Sequence, residues 1–574
     1  MHTLEMDMDG KAHESVAMPD TETLSVNEAA VATLDIRYGH VKRGLKARHI
    51  QFIALGGTIG TSLFLGIGSS LTTAGPLSLL LGFLITGIAV YGMLVTLGEM
   101  ATWLPIPGAI PQFCSRFVDD ALGFAVGWNN WYFCAIVLCL EIDAAAIVIQ
   151  YWPGARDITP AAWITLIIFF VVCLNIFAVS IYGEAEFVFA SIKLITIFGL
   201  LIISLVIVLG GGPTHDRLGF RYWKNPGAMK PLPPATGDTG RFLGFFSVLV
   251  YAAFTYAGVE MVAAAAGEAE NPRKNVPKAV RRVLYRILFF YVFGTLAIGL
   301  IVSSDDPNLL SAQKNGAAGA AESPWVIGIR NAGISALPSV INAVILTSAI
   351  SSANAFLYTG SRYLYALAQN GHAPRIFLRC SKSGVPMYAV GMTAATSLLT
   401  YMTVSVAGAN VFLWVRQASP RTSHVINEVD VSQFASLITV ASLLTWMSIC
   451  FAFIRFRKAQ IVQGVETIDV GFMSRFQPYT AWATLAYFAV VTFFNGFQVF
   501  MHDEWSVSNF ITAYIGLPAF AILFIFWKLV KRTKLHPLKE IDLISGKREV
   551  DAMEGQWPEM VPKNFLQKVW FWIA

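Results

Sequence analysis

Apolar residues run in stretches of about 20 along most of the chain, separated by short polar segments; as helices such stretches cross a ~30 Å hydrocarbon core. The runs fall near residues 50–72, 77–100, 122–149, 161–181, 186–210, 242–266, 284–304, 338–368, 386–406, 432–456, 480–500 and 508–530. The pattern therefore predicts an all-α polytopic membrane protein with twelve spans. Residues 1–35 are polar and acidic, without the charged-then-apolar start of a signal peptide, and read as a disordered tail. The expected organisation is a cytoplasmic N-terminal tail over 1–49, a twelve-span membrane domain over 50–530 and a cytoplasmic C-terminal tail over 531–574.

Two runs are interrupted where a membrane helix tolerates interruption least. The first contains "IALGGTIGTSLFLG" (Ile53–Gly66) and the sixth "FTYAGVE" (Phe254–Glu260). Glycine costs a helix interior about 1 kcal/mol relative to alanine, and backbone groups freed in lipid find no water. The interruptions lie five spans apart. Broken helices at matching positions of two halves point to an inverted repeat, spans 1–5 and 6–10, with a binding site at the midplane. A helix broken at Gly56–Gly60 presents backbone N–H donors and a positive dipole end, which with Gly57, Thr58 and Thr61 suit a carboxylate. A break around Thr255, Tyr256 and Gly258 frees carbonyls that suit an ammonium group. One anion site facing one cation site describes an α-amino acid. The competing reading of the glycines is close packing of small residues between helices.

Composition narrows the class. The 574 residues are 55% hydrophobic and 13% charged, about half the ~25% charge of soluble domains. The six cysteines lie singly without metal-ligand spacing, and neither a cofactor nor a bound metal is expected. Lys and Arg cluster before the first run (Arg37, Lys42, Arg43, Lys46, Arg48) and between the sixth and seventh (Arg273, Lys274, Lys278, Arg281, Arg282, Arg286). They cluster again after the eighth, tenth and twelfth. All these clusters share one side of a twelve-span chain, which puts both termini in the cytoplasm; the basic segment 211–241 is the exception.

Charges inside the runs are few: Glu141 and Asp143 in the third, Lys193 in the fifth and Glu260 in the sixth, with Glu99 and Arg362 nearer span ends. Each costs about 2.5–3.5 kcal/mol to insert and needs a reason. Lys193 has no acidic neighbour one turn away. It either serves proton coupling in place of a bound cation or snorkels to the interface. Glu141 either exchanges a proton with the site or pairs with another helix. Glu260 either joins that coupling or caps the freed donors of the sixth span. Phe254 suits a lid over a substrate, the alternative being a core or lipid-facing aromatic. Ser351, Ser352 and Asn354 in the eighth run line the same cavity or bond back to their own helix.

These stretches, with "ALGFAVGWNNWY", "GEAEFVFASIK", "GVEMVAAAAGEAENPRKNVPKAV" and "SSANAFLYTGSRYLYALAQNGHAP", resemble fungal amino-acid permeases of the amino acid–polyamine–organocation superfamily over nearly the whole membrane region. The resemblance implies the leucine-transporter fold with a 5+5 inverted repeat and broken first and sixth helices. It also implies proton-driven uptake at the plasma membrane. By the same resemblance "GGTIG" holds the substrate carboxylate, Phe254 gates, Lys193 stands where related carriers hold sodium, and Glu141 is the third-span glutamate. "GWNNWY" and "SPWVIGI" are most similar to proline and neutral amino-acid permeases. "DDPNLLS" and "ALPSVINA" are similar to the dicarboxylic branch, and Asp143 leaves room for an amine such as GABA. A membrane enzyme is disfavoured by the lack of a Walker loop, HExxH or nucleophile elbow. A non-transporting amino-acid sensor is the remaining rival. The expected partners are an amino acid, protons and the bilayer, with ubiquitin machinery at tail lysines such as Lys11; nucleic acid is not expected.

Overall fold

The computed structural model describes residues 44–106, 108–177, 179–314, 323–404, 429–465, 474, 476–501, 505–545 and 564. The expected disorder of the first residues and Lys11 fall outside this set. Among the described residues there is no strand beyond two isolated backbone bridges. Among the same residues seven helices are long and apolar enough to cross a membrane, and a bent pair, taken as one span, makes an eighth. Prolines open several helices at the first turn, where a missing N–H costs nothing. α3 (Pro76–Trp103), α6 (Pro160–Ile176), α10 (Pro272–Ile301), α12 (Pro324–Asn331) and α13 (Pro338–Gln369) begin this way.

Both expected interruptions are present. α1 (Ala47–Thr58) ends at irregular residues 59–61, followed by a π turn over Ser62–Gly66 and α2 (Ile67–Ala74). The two arms are bent by 44°. α8 (Gly237–Tyr256) stops before residues 257–260, and α9 (Met261–Ala264) and a 3₁₀ turn (Ala265–Glu268) resume the path.

Around the broken helices stand α5 (Asp120–Ile149), α7 (Val179–Val208) and α13, with α5 and α13 in the most extensive contact of any pair. α1 packs on α7, α10 and α13. In lipid such packing rests on van der Waals fit and interhelical hydrogen bonds, since tails are as apolar as leucine. α4 (Ala109–Phe117) and α11 (Pro307–Lys314) are short connectors. The outer helices are α14 (Met387–Thr396, continued by a 3₁₀ turn Ser397–Val404), α15 (Val429–Gln463), α16 (Tyr479–Phe493), α17 (Val507–Tyr514) and α18 (Gly516–Lys531).

The boundaries differ instructively from the hydropathy runs. The eleventh run was expected to reach 500, but α16 ends at Phe493, before the Asn495-Gly496 turn. The twelfth is divided at Ile515 into α17 and α18. α7 begins at Val179, seven residues before its run, so Glu184 is helical and Glu186 lies well inside the helix instead of at its first residue. α10 begins at Pro272, and the basic cluster Arg273–Arg286 therefore forms its first turns instead of a loop.

Arg362, placed near a span end by sequence, is 2% exposed and forms an ion pair with fully buried Glu268 at 2.6 Å. Its guanidinium lies 4.1 Å from the Tyr358 ring, which stacks on Tyr182 at 4.4 Å. The Glu268 carbonyl accepts the N–H groups of Gly44 and Leu45 at 3.0 and 2.9 Å. The chain entering α1 is thus tied to the end of the sixth span.

Candidate functional site

A helix that stops inside a membrane leaves carbonyls to be satisfied by neighbours. At the end of α1 each is taken by a side chain from another helix. Lys193 Nζ donates to the Gly56 and Ile59 carbonyls at 2.8 and 2.9 Å. Ser348 donates to Ile59 at 3.0 Å, and the Ser352 hydroxyl, its one proton shared with Glu141, lies 3.4 Å from the Gly57 carbonyl. Tyr291 of α10 lies 2.8 Å from the Thr58 carbonyl and 3.0 Å from that of Thr255, its one proton serving either. It therefore bridges the broken first and sixth helices.

The donor side of the break meets a carboxylate of the protein. The Thr61 N–H points at Glu141 Oε1 at 3.4 Å, and the same oxygen accepts from Ser352 at 3.1 Å. Glu141 Oε2 is buried without a hydrogen-bond partner. A second carboxylate, Glu186, is fully buried two turns before Lys193 on α7. It accepts from Ser351 and, at 3.1 Å, from Asn354 Nδ2, whose Oδ1 accepts from Asn175 at 2.8 Å. Lys193, 1% exposed, interacts electrostatically with both Glu186 and Glu141.

The glycines are explained by what approaches them. A Cβ on Gly56 would lie 1.8 Å from Glu186 Oε1, and one on Gly60 would lie 2.2 Å from Glu141 Oε1. Alanine at either position would expel a carboxylate. Gly57 faces the Met261 sulfur. In the sixth span Gly258 has φ +95, and a Cβ there would stand 3.5 Å from the Gly57 carbonyl oxygen. The two interruptions therefore pass about one side-chain carbon apart, and the Met261 sulfur just after the second closes on Gly57 of the first.

The other sequence candidates fall around this junction. The Thr58 and Thr255 hydroxyls donate to the carbonyls of Ala54 and Tyr251, four residues back on their own helices. Tyr256 turns away, its hydroxyl donating to the Phe83 carbonyl at 3.1 Å. Phe254 is half-buried beside Tyr251, ring centroids 6.0 Å apart. Glu260 accepts the Gly258 N–H at 3.2 Å and the Trp446 indole N–H at 3.1 Å, capping the break. Asp143 accepts from Thr403 at 2.8 Å, on the side of α5 that meets the turn after α14.

Sequence reasoning missed Glu186, Glu268 and Tyr291. Glu186 was detectable: it lies seven residues before Lys193, on the same face once the helix is extended. Tyr291→Phe leaves a buried carbonyl unpaired at about 1–3 kcal/mol. It is expected to lower the detergent melting temperature by a few degrees, read by thermal unfolding of the purified variant; an unchanged midpoint would contradict the bridge.

A family model for amino acid permeases matches residues 49–540, the whole membrane region. The chain belongs to the amino acid permease family. It is 44% identical to a probable proline-specific permease of Schizosaccharomyces pombe, over 96% of this chain and 97% of that one. It is 40% identical to a proline-specific permease of Emericella nidulans, over 93% of each. A lysine-specific permease of Saccharomyces cerevisiae is also 40% identical, over 93% of this chain and 83% of that one. The family member described here is thus a membrane transporter and not an enzyme, and the resemblance read from its motifs holds.

Proposed function

We propose that this permease imports a small neutral L-amino acid, proline or one like it, across the plasma membrane together with protons, by alternating access. The observation that carries the reading is the contact of two broken helices beside one buried ammonium and two buried carboxylates. The substrate carboxylate binds the N–H groups at Gly60 and Thr61, taking the place of Glu141 at the Thr61 N–H as Glu141 gains a proton, and the substrate amine binds carbonyls freed near Thr255–Gly258, under Phe254. Gly56, Gly57 and Thr58 shape this site, Tyr256 braces the sixth-span break from outside it through the Phe83 carbonyl, and Ser351, Ser352 and Asn354 hold the carboxylates that face it.

Lys193, Glu141 and Glu186 carry one more acidic than basic group, so a single proton moves the triad between neutral and negative. Binding a proton with the substrate removes the charge that would otherwise cross the low-dielectric centre. Glu260 secures the sixth-span break next to this triad. The remaining architecture follows the same reading: twelve spans, a 5+5 inverted repeat and the leucine-transporter fold, with both termini cytoplasmic. The tails over 1–49 and 531–574 flank the 50–530 domain and supply lysines for ubiquitin attachment. Proline is favoured over acidic substrates because two of the relatives above are named for it and because, among the described residues, Lys193 is the basic side chain bonded at the junction. Asp143, the residue that left room for an amine substrate, faces Thr403 instead.

The test is uptake of labelled proline at acidic pH in yeast lacking its own permeases. Unlabelled alanine, GABA, aspartate and lysine compete in turn, with and without a protonophore. Protonophore-sensitive proline uptake, untouched by aspartate and lysine, is expected. Transport of aspartate or GABA in place of proline would overturn the substrate assignment. Surface protein that transports nothing would favour the sensor.

A further inference from the structure

A cavity of about 480 Å³ lies between α5, α15, α16 and α18, on the face of the bundle that the C-terminal segment crosses. That volume is within the ~300–1,000 Å³ range of ligand pockets. Its walls are apolar, from Leu122, Leu444, Met447, Phe451, Leu485 and Phe524. Phe451 is 38% exposed, so the cavity opens sideways toward lipid.

One end is charged. Asp119 caps α5 by accepting the Ala121 N–H at 2.9 Å and forms an ion pair with Lys528, which also lines the cavity. Exposed Lys531, Arg532 and Lys534 follow. Arg532 adopts φ 52 and ends α18, so the chain turns back: Leu535 closes over the cavity and the His536 N–H reaches the Val118 carbonyl at 3.0 Å. Arg455 adds a further cation there, bonded to the Phe117 carbonyl at 2.9 Å. Against these five bases stand Asp119 and Asp120, the latter bonded to His372 and Trp527. The mouth keeps an excess of positive charge over an apolar slot.

We infer that this is a binding site for one anionic phospholipid, with an acyl chain in the cavity and the headgroup on the basic turn after α18. Basic clusters at the ends of membrane helices select anionic headgroups, and each Lys or Arg near the surface contributes about fivefold in affinity. A neutral phospholipid would leave the excess charge unmatched, and a sterol would have no use for it. A lipid seated here joins α5, one of the helices around the breaks, to the outer helices α15, α16 and α18.

The test is native mass spectrometry of the purified full-length permease in detergent, with phosphatidylserine and phosphatidylcholine of equal chain length. The protein is expected to retain one phosphatidylserine in preference to phosphatidylcholine by about fivefold or more. The variant K531E/R532E/K534E, altered only at exposed positions, is expected to lose that preference. Ser448→Phe, which fills the slot from α15, is expected to lower retention of phosphatidylserine with the basic turn intact. Glycerophosphoserine, which lacks acyl chains, is expected not to be retained. Equal retention of the two lipids, an unaltered preference in the triple variant, or displacement by a sterol would each overturn the proposal. The readout is independent of transport, so its failure is distinct from a failure of the substrate or coupling assignment.

Discussion

Lys193→Ala is expected to reduce uptake driven by a pH gradient by roughly 100-fold or more, while exchange of internal for external substrate partly survives. Lys193 supplies two hydrogen bonds to the carbonyls that α1 leaves open, at Gly56 and Ile59. It is also the cation facing Glu186 and Glu141. Removing one member of a buried ion cluster costs about 3–5 kcal/mol, because the remaining charges stay buried unmatched; at ~1.4 kcal/mol per decade this is two to three decades. A second variant, Lys193→Ala with Glu186→Gln, restores the balance of charge without restoring the ammonium. It is expected to reach the membrane in better yield than Lys193→Ala and still to lack gradient-driven uptake. Uptake that keeps its dependence on the gradient in either variant would remove Lys193 from the coupling role.

Gly57→Val has the next largest expected effect, on binding. A Cβ at Gly57 would stand 2.4 Å from the Met261 sulfur and 3.6 Å from the Ala355 Cβ, and valine adds two methyl groups in the same space. The intruding atoms lie where the broken helices meet, between the N–H groups at Thr61 and the turn at Gly258. Overpacking costs about 1–3 kcal/mol, so apparent affinity for proline is expected to weaken by ~10–100-fold. Met261→Ala in the same chain opens room and is expected to recover part of the loss. Concentration-dependent uptake measures both; an apparent affinity unchanged by Gly57→Val would place the substrate elsewhere.

The junction was legible where the sequence breaks a rule of membrane helices. Glycines in a span are costly unless something approaches closely, and at Gly56 and Gly60 two carboxylates do. An ammonium in an apolar run is likewise costly, and Lys193 is held by freed carbonyls. Glu186 carried one signal, its spacing of seven residues to Lys193, but it stands at the polar edge of its run, where a helix start and a loop look alike; the extension of α7 back to Val179 puts both on one helix. Glu268 was hidden similarly in a polar stretch after the sixth span. Tyr291 carries no sequence signal, being one aromatic in "LFFYVFG"; only the packing of α10 on α1 reveals its bridging hydroxyl. Hydropathy also could not locate the end of α16, which follows a local Asn-Gly turn and not the apolar run.

The central claim is that substrate and proton cross together through this junction. The most direct measurement is proton flux into proteoliposomes holding the purified permease and an internal pH dye, at zero pH gradient, on adding proline outside. Internal acidification that starts with proline, is absent without it, and disappears in Lys193→Ala is the predicted result. Proline accumulation with no accompanying acidification, in vesicles tight to protons, would contradict it.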